Sequence, residues 1–335
     1  MIDLVTIFDN LKFHQRSEID NLIKRFIEQN KLNPISLNKN IICPHCRSDK
    51  YVKNGITCGR QRYKCKSCSR TYSQSTLTSV HKLQKVGEWT DFIYLMFSSS
   101  TPLTLEQLSR KLKISTKTVH TWKHKLLSSL NKSDDIKLSG EIEMDEVFLP
   151  FNVKGMKGKE KTQEILRIEE KHMLDKKNSM FLCIHNRDND FDFRPIKIQQ
   201  KGQVKSTDIG KVVEDLIIVK GTTVITDMSK GSTKYFKTRE DITHEVFKSD
   251  GKKTKKLHNN NINNTMALYK AWSKNFNGYS TKYIWNYLKW FRYVRKFTQS
   301  TKMDYLVLKS INDKESNKRF NNIPMYYEEF LKTAS

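Results

Sequence analysis

Acidic residues are scarce in this 335-residue chain: 36 Asp and Glu face 61 Lys and Arg, a formal charge of +25. Such an imbalance suits a protein that neutralises a polyanion, with nucleic acid first and an anionic membrane second. A solubilising lysine-rich surface is the bland alternative that composition leaves open. Long apolar runs are missing too. No segment approaches the roughly 18 apolar residues of a membrane helix, which excludes a spanning segment of that kind. The start, Met1-Ile2-Asp3-Leu4, lacks the basic stretch and apolar run of a secretory signal. Cysteines number six, and four of them sit in two tight pairs. In a large chain without a signal those pairs are not expected as disulfides, so the reading is cytoplasmic, with reduced thiols. No internal repeat is visible. With 37% hydrophobic residues the chain suits folded domains and not global disorder.

Periodicity divides the chain into five parts. Residues 1–40 form a helical N-terminal segment, with Leu4, Ile7, Phe8 and Leu11, then Ile19, Leu22, Ile23, Phe26 and Ile27, at helical spacing. Residues 41–74 bear the cysteine pairs and lack apolar periodicity. Residues 80–131 return to helical patterning, and a polar linker, 131–136, ends them. Residues 138–300 alternate strands and helices. Strands are expected at Glu141–Pro150, Met180–Arg187, Arg194–Ile198, Thr222–Thr226 and His244–Phe247, and helices at Ser206–Val219, Ser232–Lys237 and from Asn263 onward. The lysine-rich stretch 154–178 reads as an exposed loop or insertion. Residues 301–335 are a helical tail.

Cys43-Pro-His-Cys46 and Cys65-Lys-Ser-Cys68 are separated by 18 residues. Each pair lets two thiolates bind one metal from a tight turn, and the two turns complete a tetrahedral zinc site. Four thiolates leave no open position, so the zinc is structural and stands in for the core that so short a segment cannot build. Cys58 and Cys183 read as ordinary small residues. The ribbon also carries Lys50, Lys53, Arg60, Arg62, Lys64, Lys66 and Arg70, cations suited to a phosphate backbone, although binding of a protein is an open alternative.

Next comes a helix-turn-helix pattern. Thr104–Leu112 places Leu105, Leu108 and Leu112 on one face, Lys113-Ile114-Ser115 turns, and Thr116–Leu127 turns Val119, Trp122 and Leu126 inward. Ser115 or Thr116 can cap the second helix. Lys117, Thr118, Thr121 and Lys125 are expected to face a DNA groove, with residues 82–98 as the supporting helix.

Two aspartates stand out on strands: Asp145, late in the strand of Glu141-Ile-Glu-Met-Asp-Glu-Val147, and Asp227, at the end of Thr222-Thr-Val-Ile-Thr-Asp227. A carboxylate there is placed to hold Mg²⁺, although such residues commonly cap turns. Asn263, Ala267, Lys270 and Lys274 make one helical stripe beside an apolar face of Ile262, Met266, Tyr269 and Phe276. From Gly251 to Met303 there are twelve Lys and Arg and no acid, which reads as a phosphate-facing surface.

With these residues in place, the chain resembles bacterial insertion-sequence transposases of the zinc-ribbon group numbered fifteen-ninety-five, also called ISXO-two-like. The likeness rests on the ribbon, the Trp89 helix with Leu105–Trp122, the Glu143-Met-Asp-Glu146 run, Thr226-Asp227-Met228, His258–Asn263 and Gly278–Leu288. It covers roughly residues 41 to 296. The resemblance implies an α/β, RNase H-like mixed-sheet catalytic domain preceded by the ribbon and the helix-turn-helix. It implies a DDE-type site of Asp145, Asp227 and, after 35 intervening residues, Asn263 in place of the usual acid, with Lys270 completing an Asp-Asp-Asn-Lys subgroup pattern. Two Mg²⁺ ions, replaceable by Mn²⁺, would lie between Asp145, Asp227 and Asn263, and Lys270, Lys274 and His258 would meet DNA. His258 reads equally as a residue that starts the helix. An amide lacks a carboxylate's charge, and Glu143, on the strand face of Asp145, or Glu146, next to it, are the residues able to compensate. The implied activity cuts the element's terminal inverted repeats and joins the freed 3′-OH to target DNA, by a homo-oligomer on paired ends in the bacterial nucleoid. The alternative is a decayed or domesticated DNA-binding regulator.

Overall fold

The computed structural model describes residues 41–57, 60–85, 87–98, 101–130, 138–152, 178–188, 190–199, 204–216, 221–247, 258–276, 278–299 and 303–323. The expected helices of 1–40, the linker 131–136, most of the lysine-rich stretch 154–178, Cys58 and the end of the tail lie outside them.

Three short strands, β1 (Tyr51–Thr57), β2 (Arg60–Cys65) and β3 (Thr71–Tyr72), form an antiparallel sheet around a small core of Cys43, Tyr63, Cys65 and Tyr72. Turns from Ser73 to Lys85 lead to α1 (Gly87–Phe97). The helix expected over 82–98 begins later, since Lys82 lies at φ 59°, in the left-handed region. Trp89, Phe92, Ile93, Met96 and Phe97 are buried, at the i, i+3, i+4, i+7, i+8 spacing that makes one apolar face. α2 (Leu105–Leu112) starts with a capping box: the Thr104 hydroxyl accepts from the Gln107 N–H and the Gln107 amide accepts from the Thr104 N–H. Lys113, at φ 51°, ends it. Ser115 then caps α3 (Thr116–Leu130), its Oγ accepting from the Thr118 N–H at 3.1 Å. Trp122 meets Trp89 and Phe92 edge-on, with ring centroids 5.5 and 5.6 Å apart.

The larger sheet contains β4 (Glu141–Pro150), β5 (Asn178–Asn186), β6 (Phe191–Gln199), β7 (Thr222–Asp227) and β8 (Ile242–Phe247), in the order β6-β5-β4-β7-β8. β4, β5 and β6 are antiparallel neighbours, whereas β7 runs parallel to β4 and β8 parallel to β7. Pleating sends alternate residues to opposite faces. On one face Ile142, Met144, Leu182, Ile184 and Val224 pack against α4 (Ser206–Leu216) and α5 (Lys230–Phe236). On the other, Val147, Leu149, Phe181 and Phe193 pack with α6 (Asn260–Ser273) and α7 (Ile284–Gln299).

That second core also takes in Trp89, Leu108, Val119, Trp122 and Leu126, and Leu306 and Ile311 of α8 (Met303–Asn312). The Trp89 indole N–H donates to Ser310 Oγ and the Trp290 indole N–H to the Met96 carbonyl, both at 3.1 Å. A last short helix, α9 (Ser316–Asn321), sends the Arg319 Nε–H to the Ser128 carbonyl at 2.9 Å. The helical pair α2–α3, the strand-helix region and the described part of the C-terminal segment therefore share one hydrophobic interior. No described helix is long and apolar enough to cross a membrane.

Where α7 crosses the β6 edge, Asp192, 1% exposed, meets Lys289 Nζ at 2.7 Å and Arg194 Nε at 2.8 Å. Burial alone would raise the Asp192 pKa, but Lys289, Arg194 and Arg292 together hold it below the usual carboxylate value. A lowered folded-state pKa means that the pairing stabilises the fold above the unfolded aspartate's pKa and is lost as pH falls through the folded one. Asp192→Ala leaves buried cations unpaired and should cost about 3–5 kcal/mol, read as a lower urea midpoint at pH 7. The gap to wild type should narrow as the buffer is taken below about pH 4.

Candidate metal centres and nucleic-acid surface

The two cysteine turns are conformational copies of each other. Arg47 follows Cys46 at φ 60°, and Ser69 follows Cys68 at φ 58°. The Cys43 N–H donates to the Ser48 carbonyl at 2.9 Å and the Cys65 N–H to the Arg70 carbonyl at 3.0 Å, the same five-residue closure twice. Both turns point their sulfurs at one place. Sγ of Cys43 lies 3.7 Å from that of Cys68, Sγ of Cys46 lies 3.5 Å from that of Cys65, and all four fall within 4.8 Å of one another. The Cys68 backbone N–H helps to hold the Cys65 thiol down, while Cys46, hydrogen-bonded to Cys65, is pushed up, so the pair shares a proton that a metal would displace. The four cysteines fit a tetrahedral zinc ion. Cys183 is buried in β5 beside Asp145 in the ladder, away from this cluster, as an ordinary core residue.

The acidic cluster arises from strand register. β4 and β7 pair as Glu141↔Thr223, Ile142↔Val224 and Glu143↔Ile225. Continued two residues, the same parallel register brings Asp145 level with Asp227, on the face that carries α6. Glu146 joins them: one carboxylate oxygen from each of Asp145, Glu146 and Asp227 lies within 4.8 Å of the others. Burial raises the Asp145 pKa, with repulsion from Asp227 adding to it. Burial, then Asp227 and Asp145, push Glu146 up to about 7. Three partly buried carboxylates so close repel one another unless a cation lies between them, and oxygen-only donors suit a hard divalent ion.

The N-terminus of α6 is fastened beside these acids. Its N-cap, Asn259, makes no capping bond of its own. Glu143, fully buried on β4, caps the helix instead: its carboxylate accepts the Asn261 and Ile262 N–H groups at 3.0 and 3.2 Å and the Asn261 amide at 2.8 Å. The Asn259 side chain is thereby released to donate to Asp145 Oδ2 at 2.9 Å. Asn263 donates to Asn259 Oδ1 at 3.1 Å, so it stands one residue removed from the aspartate. Glu143 therefore seats the helix and lies outside the acidic cluster, while Glu146 lies within it. The signal for Asn259 was present in the asparagine-rich run 259–261 ahead of the helix, yet which of those amides turns toward Asp145 depends on the Glu143 cap.

Other expected site residues separate by exposure. Asn263, Ala267 and Lys270 form an exposed stripe on α6, continued by Lys274 in the 3-10 turn that follows it, while Ile262, Met266 and Tyr269 are buried. Lys117 is exposed, and Thr118 and Thr121 are partly so. Lys125 departs from expectation. It is 9% exposed, donates to the His81 carbonyl at 2.6 Å and lies over the Phe320 ring. One helical turn past Thr121, α3 has already entered the shared core, so Lys125 faces protein and no groove. His258 also turns inward: Nδ1 lies 3.4 Å from Glu143 Oε1 and Nε2 lies 3.4 Å from Arg187 Nη1. It is part of the start of α6, the second of its two sequence readings.

Residues 137–295, which contain the acidic cluster and its helix, match the profile of the ISXO2-like transposase domain. This region is similar to the ISXO2-like transposase domains. The chain is also similar to an uncharacterized protein in transposable element ISH50 of Halobacterium salinarum, 30% identical over 146 residues. The aligned part is 42% of this chain and 48% of that relative, so the chain spans about half the length of the curated relative it matches. The ribbon and the helices before residue 137 lie N-terminal to the profile match, and the matched region is packed against those helices through the common core.

The thiol geometry yields a direct expectation. Purified chain should carry one zinc per molecule by elemental analysis. Cys43→Ser or Cys65→Ser should lose the metal and the protease resistance of residues 41–74, with the α-helical circular dichroism largely kept.

Proposed function

We propose that this chain is the transposase of an insertion sequence, which cuts the element's ends and joins the 3′-OH to target DNA. The meeting of Asp145, Glu146 and Asp227 in a transposase domain carries the reading. Sheet order supports an RNase H-like domain: an antiparallel three-strand meander extended by two parallel strands, with the first and fourth strands adjacent and bearing the acids. The proposed units are the zinc ribbon over 41–74, the helix-turn-helix over 80–131 and the catalytic domain over 138–300. The proposed Asp-Asp-Asn-Lys set is Asp145, Asp227, Asn263 and Lys270, with Asn263 linked to Asp145 through Asn259.

Asp145 and Asp227 would hold Mg²⁺, and Glu146 would supply the third carboxylate whose charge Asn263 lacks. Bound there as a pair, Mg²⁺ ions supply an activated water or 3′-hydroxyl and stabilise the leaving oxygen of an in-line displacement. Asn259 orients Asp145, and Glu143 keeps the start of α6 against β4. The exposed Lys270 and Lys274 would contact phosphates along the stripe that begins at Asn263, and the α3 N-terminal turn, with Lys117, Thr118 and Thr121, would enter a groove. Zinc holds the ribbon beside them. Action on paired ends as a homo-oligomer, in the bacterial nucleoid, is part of the same proposal.

The test is cleavage and strand transfer by zinc-loaded protein with Mg²⁺ and a fragment carrying the element's ends. Asp145→Ala should abolish both while the gel shift persists. Glu146→Gln should slow cleavage by about two orders of magnitude, and Asn263→Ala by roughly one or less. Equal activity for Glu146→Gln and wild type removes Glu146 from the centre. A wild-type protein that binds the ends and never nicks them leaves the regulator reading.

A further inference from the structure

A cleft of about 550 Å³ separates the ribbon from the turns that follow it, and His45, Arg60, Arg62, His81 and Lys82 line it. No Asp or Glu contributes to the lining; the remaining polar wall is mostly serine and threonine hydroxyls. The far wall is built, not loose. Arg60 donates to Ser75 Oγ at 3.3 Å and to the Leu83 carbonyl, tying β2 to the turns. Arg62 is steadied by Thr71 Oγ1 at 3.2 Å. Leu77 at φ 70° and Lys82 at φ 59° hold left-handed conformations that non-glycine residues rarely adopt, and strain of this kind concentrates at binding sites. Arg60, Arg62 and Lys82 are the cations of its lining.

We propose that this cleft takes the sugar-phosphate backbone of one DNA strand, with Arg62 and Lys82 as its principal phosphate contacts. A backbone is favoured over a single small anion because the cations spread along both walls and the volume exceeds what one phosphate fills. Hydroxyl and guanidinium donors with no acidic neighbour suit phosphate oxygens, and give affinity without sequence preference. The proposal rests on the reading that the chain acts on DNA. It adds a site remote in sequence from the acids and from the exposed α3 turn, which grips the strand between ribbon and bundle.

The test uses full-length, zinc-loaded protein and a labelled random-sequence DNA duplex, with anisotropy followed against salt. Arg62→Gln with Lys82→Gln should flatten the slope of log Kobs against log[salt] by about 1.8, roughly 0.9 per lost phosphate contact. Lys211→Gln with Lys234→Gln removes the same charge from exposed positions on α4 and α5 and should leave the slope near wild type. Arg62→Lys should keep it as well. Zinc content and circular dichroism identify a misfolded variant, and in that case Lys82→Gln alone should flatten the slope by about half as much. A cleft variant with the wild-type slope overturns the proposal. Cleavage read in parallel separates the two readings: a flattened slope in a protein that never cuts upholds the cleft and sinks the transposase, and an unchanged slope in a protein that cuts does the reverse.

Discussion

Glu143 joins the sheet to the helix that completes the acidic centre. Its carboxylate is fully buried, and it answers the first free N–H groups of α6, which the helix's own N-cap leaves unmet. A buried anion is costly unless donors surround it, and a helix start supplies donors together with the positive end of its dipole. Arg187, 3.6 Å away, and His258 add partial cover. The exchange satisfies strand and helix at once. With α6 fixed by Glu143, Asn259 is free to meet Asp145, Asn263 follows, and the exposed face with Lys270 and Lys274 is set in direction.

Around that join, the structure separates charges by task. Asp145, Glu146 and Asp227 are crowded so that their mutual repulsion favours a bound cation. Asp192 is crowded too, but by Lys289, Arg194 and Arg292, and that arrangement locks α7 to the β6 edge. Lys125 is spent on a carbonyl. Positive charge in excess is therefore not one surface: part of it holds the fold, and part lines the cleft beside the ribbon. The net charge of +25 overstates what is available to a polyanion.

The shared interior has a mechanical consequence. Trp89, Trp122 and Trp290 belong to one cluster with Tyr269 of α6, so the helices before the matched region and the helix beside the acids are packed as one body among the described residues. A DNA strand bound at the α3 turn, as proposed, would thereby be held at a fixed bearing to Asp145, because close-packed interiors pass displacement on without absorbing it.

Local chemistry was legible in the order of residues. The two Cys-x-x-Cys turns, the helical spacing of Leu105 to Leu126, the strands that carry Asp145 and Asp227, and the Asn263–Lys274 stripe all follow from periods of 2 or 3.6 and from ligand spacing, which act over a few residues. What lay beyond reach depends on which distant segments meet. Asp145 and Asp227 become level only through the β4–β7 register, and Glu143 seats α6 only because the start of that helix comes to lie over β4. Lys125 looked like one more groove-facing cation, until α9 and the turn at His81 closed over it. The sequence by itself determined the elements and the candidate ligands; the tertiary structure decided which of them face each other, because burial, register and helix capping are properties of contacts between residues far apart in the chain.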